Sequence, residues 1–298
     1  MRRVRSWLGW LLFVLAGART WAGEGLTVLT WNVQNYVAED RMVDGEYRTD
    51  FPKPEREKAA LRAALREVDA DVLALQEMGP EPYLEELQRD LAGEGSPYPY
   101  RALLDGPDPK RHLALLSRVR FVRVVPHREV GHDRGGRSER VRRGVLEATL
   151  EVAGREWTVF VVHLKSRHTD DPRDPFAAEQ RLGEAEAVRE LVLARTGREA
   201  GARFLLVGDC NDDPASRPVR ALQRRGGTVL AQVVPATDAR GDAWTHHYRK
   251  KEVFSRVDYI LVSPALGDEV ARAWVHDSAA VRAASDHRPV VVRLAVPR

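Results

Sequence analysis

The chain has 298 residues, of which 43% are hydrophobic and 31% charged, and a formal net charge of +3. That length holds one large α/β domain or two small ones with ample apolar sequence for a core, and the absence of a linker favours one. Cys210 is the only cysteine, which excludes an intramolecular disulfide.

In chain order, Arg2, Arg3 and Arg5 precede the apolar run Trp7–Ala16, and small residues follow around Ala18 and Ala22. This is the layout of a signal peptide over residues 1–22. The run falls short of the roughly 20 apolar residues of a membrane span. Cleavage near Ala22 and export to the periplasm or beyond are therefore expected, with a retained, uncleaved anchor as the alternative. Removing Arg2, Arg3, Arg5 and Arg19 takes the formal charge from +3 to −1. A globally basic surface thus cannot argue for nucleic-acid binding, although a local patch can.

Residues 23–298 then read as a single domain. Short apolar runs end repeatedly in polar, chemically capable residues: Leu26–Trp31 before Asn32, Val72–Leu75 before Gln76 and Glu77, Leu113–Leu116 before Ser117, and Trp157–Val162 before His163. Phe204–Val207 leads into Gly208 and Asp209, Val257–Val262 contains Asp258, and Pro289–Leu294 follows Ser285, Asp286 and His287. Such runs read as buried strands. Between them, Glu55–Val68 and Glu179–Thr196 carry apolar residues at helical spacing, and Tyr83–Leu91 is a shorter helix candidate. Strands with interspersed helices imply stacked α and β layers around one core. Asp40–Pro54 and Arg123–Gly144 read as long loops, the second carrying Arg134, Arg137, Arg140, Arg142 and Arg143.

An Asp or His after one strand is ordinarily a turn residue. The ordered set Asn32, Glu77, His163, Asp209, Asn211, Asp258, Asp286 and His287 says more. If the strand ends converge, one pocket holds four carboxylates, two amides and two imidazoles. Such a pocket calls for a cation. Oxygen donors without a zinc-type spacing favour Mg²⁺, with Mn²⁺ or Ca²⁺ also suited.

These segments, read as Thr30-Trp31-Asn32-Val33-Gln34, Leu75-Gln76-Glu77, Leu115-Leu116-Ser117-Arg118, Val162-His163-Leu164-Lys165-Ser166, Gly208-Asp209-Cys210-Asn211, Arg256-Val257-Asp258-Tyr259-Ile260 and Ser285-Asp286-His287, resemble the endonuclease/exonuclease/phosphatase superfamily over nearly all of the mature chain. The resemblance implies a DNase I-like fold, a four-layer α/β/β/α sandwich of two face-to-face mixed sheets with outer helices and a site at one end of the sheets. It implies Glu77, Asn32 and Asp286 as metal ligands. Asp209 and Asn211 would handle the attacking water and the phosphate, with Lys165 also binding phosphate. His287, oriented by Asp258, would touch the scissile phosphate, and His163 matches the second histidine of the deoxyribonuclease branch. Its acid partner there would be Asp105 or Asp108. Gln34 stands where many relatives have an acid. Cys210 reads as packing.

The expected function is a secreted, divalent-metal-dependent phosphodiesterase, first of all a monomeric nuclease acting on nucleic acid by in-line water attack. A phosphatase or phospholipase C-like hydrolase is the alternative, favoured by an exposed aromatic hairpin that the sequence alone does not reveal. A non-catalytic polyanion-binding protein of the same fold is the third. Trp244–Tyr248 reads either as a stacking platform or as a packed loop anchor.

Overall fold

The computed structural model describes residues 25–134, 136–197 and 201–296; the expected leader over residues 1–22 lies outside them. The apolar runs become the middle strands of two six-stranded sheets. One sheet has the order Val270–Val275, Val290–Leu294, Leu26–Tyr36, Val72–Met78, His112–Ser117, Tyr100–Leu104. The other runs Gln232–Val233, Asp258–Val262, Phe204–Asp209, Arg155–His163, Val145–Val152, Phe121–His127. Each sheet is mixed, with one parallel pair at its centre: Leu26–Tyr36 beside Val72–Met78, and Arg155–His163 beside Phe204–Asp209.

Alternation along the strands builds the layers, because successive side chains point to opposite faces. Val72 and Ala74 face inward to meet Leu205, Val207 and Ile260 of the second sheet, forming an aliphatic core. Leu73 and Leu75 face outward under Leu61 and Leu65 of helix Glu55–Val68 and Leu84, Leu87 and Leu91 of helix Glu81–Gly93. On the far side, Leu206 and Phe160 pack against Val188 and Val192 of helix Ala178–Thr196 and Val219 of helix Arg217–Gln223. The result is the four-layer α/β/β/α sandwich. Each fully buried Leu, Val or Phe contributes about 1.5–3 kcal/mol relative to exposure. Among the described residues no helix is long and apolar enough to cross a membrane.

Two segments depart from expectation. Asp40–Pro54 holds a two-stranded hairpin, Glu39–Val43 against Glu46–Phe51, and Arg123–Gly144 holds most of the edge strand Phe121–His127 and a second hairpin, Gly131–Arg134 against Arg137–Arg140. The two hairpins bury neither face and the edge strand packs only Phe121 against the core, so they carry no apolar alternation to read. The arginine run is mostly paired at the surface: Arg134 meets Glu139, Asp171 and Asp174, and Arg140 meets Glu129.

Candidate active site

Strand register sets the first row of the site. His163 is the parallel partner of Asp209, and Asp209 the antiparallel partner of Asp258, so the three stand side by side across neighbouring strands. Close packing is essential here. Gly208 has φ 138°, and a Cβ on it would lie 1.9 Å from the Val162 carbonyl oxygen, so only glycine fits before Asp209.

The first sheet supplies the second row through a turn in left-handed backbone. Gln34 and Asn35 have φ 50° and 53°, and Glu77 has φ 61° at irregularities where its strand's pairing on both sides shifts register. Asn211 adds φ 52° beyond Asp209. Such conformations cost energy in non-glycine residues and collect at functional sites. The turn is a hub. Asn32 Nδ2 donates to Asp209 Oδ2 at 3.1 Å, bonding one sheet to the other. Asn35 N donates to Glu77 Oε2 at 3.0 Å, and Asp286 N donates to Gln34 Oε1 at 3.0 Å. Asn32, Glu77, Asp209 and Asp286 therefore converge on residues 32–35.

His287 arrives from the loop before the last strand. Its Nδ1 lies 2.8 Å from Asp258 Oδ2, its amide donates to Ser285 Oγ, and its carbonyl accepts from the buried Trp31 Nε1. Burial alone would lower its pKa, but the charge and hydrogen bond of Asp258, with Asp209 and Asp286 behind, raise it to about 10. Burial pushes the Asp209 carboxyl well above the usual carboxylate range, and the Asp258 charge adds to it, against His287 and the hydrogen bonds from Asn211 and Asn32. His163 is opposite in character. Burial, then the charges of Arg143 and His287, hold it well below an ordinary histidine, so it is neutral, with Nε2 3.5 Å from Asp209 Oδ2.

The remaining candidates are placed less centrally. Asn211 braces Asp209, donating its amide N–H to Oδ1 at 2.7 Å while its Nδ2 donates to the Leu164 carbonyl. Lys165 Nζ donates to the carbonyls of Ser166 and His168 within its own loop. Neither Asp105 nor Asp108 bonds His163: its Nδ1 is buried without a hydrogen-bond partner, Asp105 lies 3.6 Å from His112, and Asp108 pairs with Arg143. Cys210 is buried, and its thiol pKa is raised well above the ordinary value by burial and the neighbouring carboxylates, as packing requires.

Sequence reasoning missed two supports and left a third, Trp244, open between a stacking platform and a packed loop anchor. Thr245 Oγ1 accepts the N–H groups of Val257 and Asp258, both at 3.0 Å, fixing the start of the Asp258 strand. Buried Glu184 accepts the backbone N–H groups of Arg142 and Lys165, and burial pushes its pKa up to about 7. Trp244 is a packed anchor, capped by the Arg288 guanidinium 3.4 Å from its ring centre. Beyond it lies the hairpin His246–Tyr248 against Val253–Ser255, with Tyr248, Val253 and Phe254 exposed. Tyr248 and Phe254 flanking a charged turn were the available signal.

The sequence pattern of the Endonuclease/Exonuclease/phosphatase family matches residues 29–287, the span that contains every candidate catalytic and metal-binding residue above. The chain belongs to the endonuclease/exonuclease/phosphatase family. The family's fold is seen in solved structures of low sequence identity. The human Nocturnin catalytic domain with bound sulfate anion is 17% identical, with TM-score 0.61 over 90% of this chain and 93% of that one. Sphingomyelinase C from Streptomyces griseocarneus is 18% identical, with TM-score 0.59 over 91% and 99%. The 3' phosphatase NExo from Neisseria, bound to product DNA hairpin, is 18% identical, with TM-score 0.60 over 90% and 99%. Comparison with curated proteins finds no match.

Members of the family are metal-dependent phosphoester hydrolases, and the donor set suits that cofactor. Side-chain oxygens of Asn32 and Glu77 accept backbone N–H groups of one turn, Asp286 is tied to that turn through its own N–H, and Asp258 Oδ1 is a buried acceptor with no hydrogen-bond partner. Hard cations such as Mg²⁺ take such oxygens. Among the described residues two compact groups also emerge, Asp209–Asp258–His287 and His246–Asp286–His287, each with its ligand atoms within 4.8 Å of one another.

Proposed function

We propose that the protein is an exported phosphodiesterase, first of all a nuclease that hydrolyses nucleic-acid phosphodiester bonds by in-line attack of water. The observation that carries this reading is the buried Asp258–His287 pair, 2.8 Å apart, beside a second buried carboxylate, Asp209, within 4.8 Å. A histidine held protonated by a carboxylate presents Nε2–H to a nonbridging oxygen as negative charge grows there. Asp209, its pKa raised by burial, takes the proton of the attacking water, and Asn211 and Asn32 keep its two oxygens aimed. Neutral His163 flanks Asp209 without adding a competing charge. Glu77, Asn32 and Asp286 are the residues that would hold Mg²⁺, or Mn²⁺ or Ca²⁺, which would polarise the phosphate when bound.

Support for a nuclease comes from the His163–His287 pair, from the expected export, and from NExo, whose structure holds DNA. A second reading, a phospholipase C-like hydrolase of phospholipid head groups, draws on the exposed Tyr248, Val253 and Phe254 of the hairpin beside His287 and on the likeness to sphingomyelinase C. One panel separates them. The full-length chain is incubated with single- and double-stranded DNA, RNA and sphingomyelin vesicles, with Mg²⁺ or Mn²⁺ and with EDTA. EDTA-sensitive release of acid-soluble nucleotides is the expected result. Release of phosphocholine with no action on either polymer replaces the nuclease by the second reading.

A further inference from the structure

The mouth of the site holds an imidazole that hydrolysis does not use. His246 opens the hairpin and bridges His287 backbone to backbone, and the two rings lie 4.5 Å apart with planes 35° from parallel. His246 Nε2 is 3.9 Å from Asp286 Oδ2, and one ligand atom from each of His246, Asp286 and His287 lies within 4.8 Å of the other two. The backbone fixes this trio. His247 N donates to the Asp286 carbonyl at 2.9 Å, Asp286 N to Gln34 at 3.0 Å, and Arg288 N to the Thr245 carbonyl at 2.6 Å.

Donor chemistry decides which ion fits. Two imidazole nitrogens with one carboxylate oxygen suit borderline Zn²⁺, whereas Mg²⁺ prefers oxygen alone. Ligand bonds of 2.0–2.1 Å in a tetrahedron place donor atoms roughly 3.3 Å apart, so the 3.9 Å pair closes by less than one ångström. Asp258 already holds His287 Nδ1, leaving Nε2 as the nitrogen for a metal with a carboxylate on the other side of the ring, the support usual for a zinc-binding histidine. Access differs between the two groups of possible ligands. The side chains of His246 and Asp286 are 25% and 28% exposed, while Asp209, Asp258 and His287 are all buried.

We propose that His246, Asp286 and His287 form a zinc site at the mouth of the catalytic pocket, and that zinc there stops hydrolysis by occupying His287 Nε2. The ion replaces the proton on that nitrogen, and a water completes its coordination. Binding rests on geometry alone; inhibition rests also on the hydrolase reading.

The test separates the two. Zn²⁺ is titrated calorimetrically into the metal-free full-length chain, and Co²⁺ is followed by its tetrahedral visible absorption. One tight equivalent and a Co²⁺ band are expected. His246→Phe, which keeps a ring against His287, weakens zinc at least about tenfold and abolishes the band. His276→Ala, which removes a surface histidine paired with Glu67, leaves both unchanged. Equal zinc affinity in wild type and His246→Phe overturns the site. With a substrate that the panel identifies and saturating Mg²⁺, zinc inhibits wild type and His246→Phe resists it at least tenfold while keeping its uninhibited rate; equal inhibition overturns the switch. Absence of hydrolysis on every substrate removes the hydrolase reading and the switch with it, while the calorimetry still decides the site.

Discussion

The strand Phe204–Asp209 has two unlike ends. At its start, Phe204 borders a cavity of about 570 Å³ lined by Leu193, Val229, Leu230 and Pro264 with Thr196, Arg225 and Ser263, and Phe204 itself is buried among apolar side chains of the outer layer. At its finish, Asp209 is buried beside Asp258, His163 and His287, with left-handed Asn211 following. Burying ionisable groups costs stability unless each is compensated. The difference teaches that folding explains the first end and chemistry explains the second.

Four substitutions sharpen or break that contrast. His287→Ala lowers turnover of a generic phosphodiester by about 10²–10⁴ with the circular dichroism spectrum retained; unchanged turnover breaks the contrast outright. Leu205→Ala, in the core between the sheets, costs about 2–5 kcal/mol in chemical denaturation and leaves the rate of the folded enzyme intact. Asp258→Asn reads the charge pair through pH. Because the His287 pKa is raised from 6.5 to about 10, its stabilisation is fully present below 6.5 and lost as pH rises through about 10. The gap in melting temperature between wild type and Asp258→Asn is therefore widest below pH 6.5 and narrows toward pH 10; a constant gap denies the pair. Smallest, Glu77→Gln weakens Mg²⁺ binding by about tenfold in calorimetry, and equal affinity removes Glu77 from the ligand set.

Much of this was legible in the sequence because the middle strands are buried on both faces. Val72–Leu75 and Phe204–Val207 are continuous apolar runs, and helix Glu55–Val68 has the bounds its periodicity predicts. The partnership of Asp258 with His287 was legible through the family resemblance. What stayed hidden is what a periodicity cannot encode. Glu39–Phe51 and Gly131–Arg140 pair through backbone with no side chain buried on either face, so they read as loops. Lys165 was expected at the phosphate, yet carbonyls one and three residues along its own loop, at Ser166 and His168, hold its ammonium. Glu184 acts through contacts distant in sequence and nothing in its local pattern marks it, while the Trp244–Tyr248 segment stood out without showing that Thr245 would brace the Asp258 strand or that His246 would meet His287.

The single cysteine provides a built-in reporter. Cys210 follows Asp209 directly, its amide donates to the Val257 carbonyl, and its thiol is buried. An alkylating reagent can reach that sulfur only when the layer of the second sheet and its outer helices opens locally. The labelling rate in dilute reagent thus measures how often this region opens, and substrate that engages Asp209 slows it.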